Sequence, residues 1–162
     1  MSIFLDEDAQ EVNLYTKHVK VLVTRPDFIS SATSALVIRT RTGNWTLPGF
    51  SIKEGSSVKE VKKQATKFLE KYINIVVKKD ELELAGKIQQ GKDLFTLLTL
   101  RYKNSDRVAS VMETGDKFQR PLIMEVRWIK SAIDLEALDF QHKENNVKNL
   151  LADAVTGRSH ES

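Results

Sequence analysis

The residues best equipped for chemistry crowd into one stretch, 44–75, which reads NWTLPGFSIKEGSSVKEVKKQATKFLEKYINI. Its acids are Glu54, Glu60 and Glu70. Carboxylates are the hard oxygen ligands that Mg²⁺ and Mn²⁺ take in octahedral geometry. A cation held that way lowers the pKa of bound water and neutralises charge at phosphorus. On one reading these three acids form a metal site. The same residues have a plainer use. Ser57 and Glu60 make the S-x-x-E pattern of a helix capping box. Glu54 and Glu70 are then solvated surface charges of little energetic weight.

A second set of residues points to binding rather than turnover. Lys59, Lys63, Lys67 and Lys71 recur every four residues and form a basic stripe, with Lys53 and Lys62 nearby and Lys78-Lys79 beyond. Such a stripe suits phosphates of a nucleotide or RNA, or is the wet face of an ordinary helix. Gly55 and Ser56 precede the helix, where free backbone N–H groups attract anions. Phe50 could stack a planar base, as could Trp45 and Phe28, although Trp45 and Phe50 also suit core or turn packing. The binding set is therefore Phe50, Lys53, Gly55, Ser56, Lys59 and Lys63.

Other chemistries are excluded or unsupported. There is no cysteine, so disulfides, thiolate metal sites and cysteine nucleophiles are absent. His18, His142 and His160 lack a ligand spacing. No P-loop or dinucleotide fingerprint occurs. The net charge of +3 is mild and mixed along the chain, which permits an anionic partner without requiring one. The acidic start MSIFLDEDAQE does not resemble a secretory signal, and no apolar run is long enough for a membrane span. The expected location is cytoplasmic.

The elements that must position these residues follow from periodicity. Residues 18–24 and 35–41 read as strands, with Arg25-Pro26-Asp27 breaking the first. A turn at 42–44 leads to extended residues 45–47, ended by Pro48-Gly49. The helix spans 57–72, with Val61, Ala65, Phe68, Leu69 and Tyr72 on its apolar face. Residues 73–77 lead toward another strand. Strands follow at 82–89, with Gly86 as a bulge, and at 94–102. A loop occupies 104–118. The strand 122–129 alternates, with Met124, Val126 and Trp128 facing one side and Trp128 in the core. A short helix or turn at 132–138 precedes a last helix at 143–155, striped by Val147, Leu150, Leu151, Ala154 and Val155. The pattern is α+β, a mixed sheet with helices packed on it. Residues 1–16 form an arm, 17–156 the domain and 157–162 a disordered tail.

Four pieces in order, ALVIRTRTGNWTLPG, SIKEGSSVKEV, EVRWI with SAIDLEALDF, and KENNVKNLLADAV, resemble the Nudix family. The resemblance covers most of the chain and implies a Nudix-like fold. It also implies a helix whose glutamates bind Mg²⁺ or Mn²⁺ for diphosphate hydrolysis, in the family motif G-x5-E-x7-R-E-U-x-E-E-x-G-U. Run on without gaps from Pro48-Gly49, that motif places Phe50 on a loop glycine and Ser56 on the first glutamate. Gln64 and Ala65 fall on the Arg-Glu pair, and Phe68 and Leu69 on the paired glutamates. Neighbouring registers supply no more than one glutamate. The expectation is a degenerate Nudix box in a non-catalytic module without a metal cofactor, which binds a nucleotide, RNA or a protein partner. The alternatives are a metal-dependent hydrolase using Glu54, Glu60, Glu70 and Glu113, and a purely structural, self-associating component.

Overall fold

A computed structural model describes residues 13–26, 33–103 and 123–156. The elements are β1 (Asn13–Leu14), β2 (His18–Pro26), β3 (Thr33–Thr40), β4 (Trp45–Thr46), β5 (Gly49–Ser51) and β6 (Ser56–Ser57). They continue with α1 (Val58–Phe68), β7 (Leu82–Gln90), β8 (Asp93–Arg101), β9 (Ile123–Ile129), α2 (Ala132–Glu136) and α3 (Asn145–Thr156). The class is α+β, as the pattern predicts.

The main sheet runs β4-β3-β2-β8-β7, with β5 also on β2 and β9 also on β3. Among the described residues, only β2 and β8 pair in parallel. Both faces are covered. Val19, Val21 and Val23 of β2, Leu36 and Ile38 of β3, and Leu98 and Leu100 of β8 pack with Val61, Ala65, Phe68 and Leu69. On the other face Leu22, Ala35, Val37 and Leu97 pack with Leu135, Val147, Leu151 and Val155 of α2 and α3. Burial on both faces explains why β2 and β3 read as nearly continuous apolar runs. Each fully buried Leu, Ile or Val contributes roughly 1.5–3 kcal/mol.

The feature that positions the site is a split in this sheet. β2 and β3 pair only from Thr24 to Pro26 against Ala35 to Thr33. Farther along they part, and β5 takes the freed edge of β2 at His18–Lys20, while β4 takes the freed edge of β3 at Ile38–Arg39. The Val21 N–H still donates to Pro48 O at 2.8 Å, which pins the connection between β4 and β5 inside the fork. Gly49 is needed there, since a Cβ would lie 2.8 Å from the Val19 carbonyl oxygen.

α1 starts at the predicted cap, with Ser57 Oγ accepting from the Glu60 N–H at 3.1 Å, but the Glu60 carboxylate accepts from Gln64 and does not complete the capping box. The helix ends earlier than predicted. Residues 69–73 form a π turn, closed by Asn74 in the left-handed conformation at φ 61°, whose N–H donates to Leu69 O. That left-handed residue turns the chain away, so 73–77 leads into no strand and a 3₁₀ turn at Lys79–Glu81 follows. β2 continues through Pro26 instead of breaking at Arg25. Pro26 is tolerated because it is the last residue of the ladder, opposite Thr33. In β9 the expected alternation fails at Met124. The register slips between Arg39 and Thr40, whose partners are Glu125 and Ile123. Met124 is the extra residue and is 46% exposed, and Ile123 replaces it in the core. Trp128 is half-buried beneath the Arg25 guanidinium, 4.3 Å from its ring centroid.

The last four residues of the expected arm, 13–16, are tied to the body. β1 pairs with β6, and the Thr16 and Thr96 hydroxyls are 2.5 Å apart. The rest of the arm, the loop at 104–118 and the tail 157–162 lie outside the described residues. Among the described residues, no helix is long and apolar enough to cross a membrane.

Candidate functional site

The fork of the sheet opens into a cavity of about 390 Å³. One wall is His18 and Lys20 of β2 with Gly49, Phe50 and Ser51 of β5. The facing wall is Ile38 and Thr40 of β3 with Thr46 and Leu47, while Phe68 and Tyr72 come from α1 and its π turn and Phe95 from β8. Phe50, Phe68 and Tyr72 make a continuous aromatic row. The ring centroids of Phe50 and Phe68 are 5.4 Å apart, and those of Phe68 and Tyr72 are 5.1 Å apart. His18 stacks at 5.3 Å on Phe95, and its Nδ1 is 3.1 Å from Ser51 Oγ.

Lys20 is the chemically unusual lining residue. It is 5% exposed, although it sits in a strand of valines. Its ammonium donates to Thr46 Oγ1 at 2.8 Å and stands 4.7 Å from the Phe95 ring centroid. Thr46 passes the bond on, donating to Glu144 Oε2 at 3.1 Å. The Gln90 amide donates to the other Glu144 oxygen. Burial lowers the Lys20 pKa from 10.5 to about 8, against the upward pull of Glu144 and with a smaller downward push from Lys143. Burial likewise raises the Glu144 carboxyl, while Lys20 and the Thr46 hydroxyl pull it back. The result is a cation at the cavity wall whose counter-charge lies one hydroxyl behind it.

Of the residues expected to bind, only Phe50 lines this cavity. The Gly55 N–H donates to Leu14 O at 2.6 Å and the Ser56 N–H to Lys53 O at 3.1 Å, so both amides are engaged within the chain. Ser56 Oγ also donates to Lys53 O, at 2.6 Å. Lys53, Lys59, Lys63 and Lys67 are exposed along the outer surface. Lys71 is exposed too, and its Nζ rests 5.2 Å from the Tyr72 ring centroid. Trp45 is buried in the core, and Phe28 lies outside the described residues.

The acids do not converge. Glu54 is an exposed partner of Lys17 at 3.9 Å. Glu60 Oε1 accepts from Gln64 Nε2 at 3.5 Å, and Glu70 is exposed. Glu113 lies outside the described residues. Among the described residues, no group of three or more His, Asp or Glu side chains could hold a metal ion.

Sequence reasoning missed Lys20, Thr46, Phe95, Gln90 and Glu144. The one available signal was a lysine inside the valine-rich run HVKVLVT. Glu144 gave none, because its link to Thr46 spans 98 residues.

No protein-family model matches the sequence, and no curated protein matches it. Solved structures do. The Nudix domain of Shewanella oneidensis NrtR, crystallised with ADP-ribose, has a TM-score of 0.61 at 13% identity, covering 98% of both chains. The C-terminal domain of mouse MUTYH, crystallised with human PCNA, has a TM-score of 0.58 at 12% identity, covering 84% of this chain and 86% of that one. A MutT/nudix family protein from Enterococcus faecalis has a TM-score of 0.51 at 12% identity over 79% of this chain. The chain spans only half the length of that protein. The fold is thus Nudix-like, a mixed sheet with a few helices.

Proposed function

We propose that this chain is a non-catalytic binding module that holds a nucleotide-like ligand in the cavity at the fork of its sheet. The observation that carries this is the lining: Phe50, Phe68, Tyr72 and Phe95 with a single buried ammonium, Lys20. Aromatic faces stack planar bases with little sequence preference, each worth about 1–3 kcal/mol. A desolvated lysine supplies charge for an acidic group. In the gapless register Phe68 falls on one of the family's paired glutamates, and the described acids of loop and helix lie apart: Glu54 pairs with Lys17, Glu60 accepts from Gln64 and Glu70 is exposed. A Nudix domain crystallised with ADP-ribose has the same fold, which supports a nucleotide as the class to try first.

Calorimetry with an adenine nucleotide panel, run in EDTA and again in Mg²⁺ or Mn²⁺, tests the reading. Binding should survive EDTA, no phosphate or nucleotide fragment should be released, and Phe50→Ala should weaken binding about tenfold. Metal-dependent turnover that Glu60→Gln abolishes would establish the hydrolase reading instead.

A further inference from the structure

The ligand class can be narrowed, on the premise that the cavity takes a nucleotide-like molecule. An ammonium has three donors and no acceptor. Lys20 gives one to Thr46, and the face of Phe95 covers part of the remainder. No second hydrogen-bond acceptor for it occurs among the described residues. Buried donors without acceptors are costly, so the position favours a ligand that brings oxygen atoms to Lys20.

The charge available is small. Among the described lining residues, Lys20 and His18 are the basic groups, and His18 is placed beside Ser51. The Lys20 charge is already partly met by Glu144 through Thr46, with Lys143 as the other nearby charge. Lys71 sits on the solvent side of this group, over Tyr72. One acidic group therefore finds a partner, whereas further phosphates would be desolvated without a cation or a metal to meet them. The volume agrees. About 390 Å³ lies near the lower end of small-molecule pockets, which span roughly 300–1,000 Å³.

We infer that the cavity selects an aromatic monoacid: a planar ring among Phe50, Phe68 and Tyr72, joined to one phosphate monoester or carboxylate that reaches Lys20, bound without metal. Lengthening the phosphate chain weakens binding instead of strengthening it.

The experiment is calorimetry on the full chain in EDTA with adenosine, AMP, ADP, ADP-ribose and 2-naphthoate. AMP should bind roughly tenfold tighter than adenosine and tighter than ADP or ADP-ribose. Lys20→Gln should bring AMP down to the affinity of adenosine while leaving adenosine unchanged. The wild-type chain provides a check that needs no variant. AMP affinity should fall as pH rises past about 8, where Lys20 loses its proton, while adenosine affinity stays level. ADP or ADP-ribose binding tighter than AMP would overturn the monoacid inference and leave the nucleotide reading standing. Binding of 2-naphthoate alone would keep the monoacid and remove the nucleotide. If no probe binds, both fall.

Discussion

The ring of Phe68 lies 5.4 Å from that of Phe50, so α1 meets the loop strand β5 through two aromatic faces. In this place the helix contributes apolar surface, and the cavity gains a wall that a base can lie against. Phe68 is buried and Phe50 only partly so. Phe68→Ala should therefore cost about 3–5 kcal/mol of stability. Phe50→Ala should cost less, with its main effect on ligand affinity. Urea denaturation of the two variants beside calorimetry separates them.

Lys20 and Glu144 form a buried charge pair bridged by Thr46. Removing one partner leaves the other charged and poorly solvated. Glu144→Gln alone should destabilise by about 1–3 kcal/mol at neutral pH, because it strands the Lys20 ammonium. Lys20→Met with Glu144→Gln should recover most of that loss, because a neutral replacement of both ends removes the desolvation cost as well. Thermal denaturation of the four proteins forms the double-mutant cycle, and strictly additive losses would contradict the pairing.

The same pair sets a pH dependence. Burial holds Lys20 at about 8, against 10.5 when unfolded. Between those values the unfolded chain binds the extra proton, so stability from this group rises with pH across that window. Below about 8 the cost of burying the ammonium is fully present. Glu144 acts the other way: its folded carboxyl is raised above 4.5, so its contribution declines as pH climbs from 4.5 through the folded value. Wild type should gain on Lys20→Met between pH 8 and 10.5, by on the order of 3 kcal/mol. Chemical denaturation at stepped pH measures the difference.

Gly49 approaches β2 too closely for a side chain, with the Val19 carbonyl oxygen 2.8 Å from a would-be Cβ. Gly49→Ala should push β5 off β2 and cost about 1–3 kcal/mol. It should also weaken binding, since Phe50 travels with the strand. Unchanged stability in urea would show that β5 yields freely.

Much of the frame is legible in residue order. The bulge at Gly86 is where the register slips between Leu84 and Gly86, and Val61, Ala65 and Phe68 bury as their spacing requires. The stripe of the last helix likewise turns Val147, Leu151 and Val155 inward. These are local properties, set by periodicity and turn chemistry. The cavity is a property of pairing. Nothing within HVKVLVT or ALVIRTR says that the two strands diverge, because divergence depends on β4 and β5 claiming the freed edges. The π turn is equally silent, since Tyr72 fits an α-helical stripe as well as it fits the cavity. The anion site expected at Gly55 and Ser56 rested on free amides, and the short β1 strand occupies the first of them.

Thr16 and Thr96 touch across 80 residues of chain, and the parallel ladder of β2 and β8 joins segments almost as remote. Loop closure over such a span is entropically slow. The β7–β8 hairpin is local and can assemble early, so the docking of β2 is the natural late step in folding. The pocket takes lining residues from both β2 and β8, so it is complete only when the two are paired. A cognate molecule should leave the refolding rate nearly untouched and retard unfolding alone. Stopped-flow traces with and without ligand would record that asymmetry, and it makes occupancy a lock on the finished protein and not a template for making it.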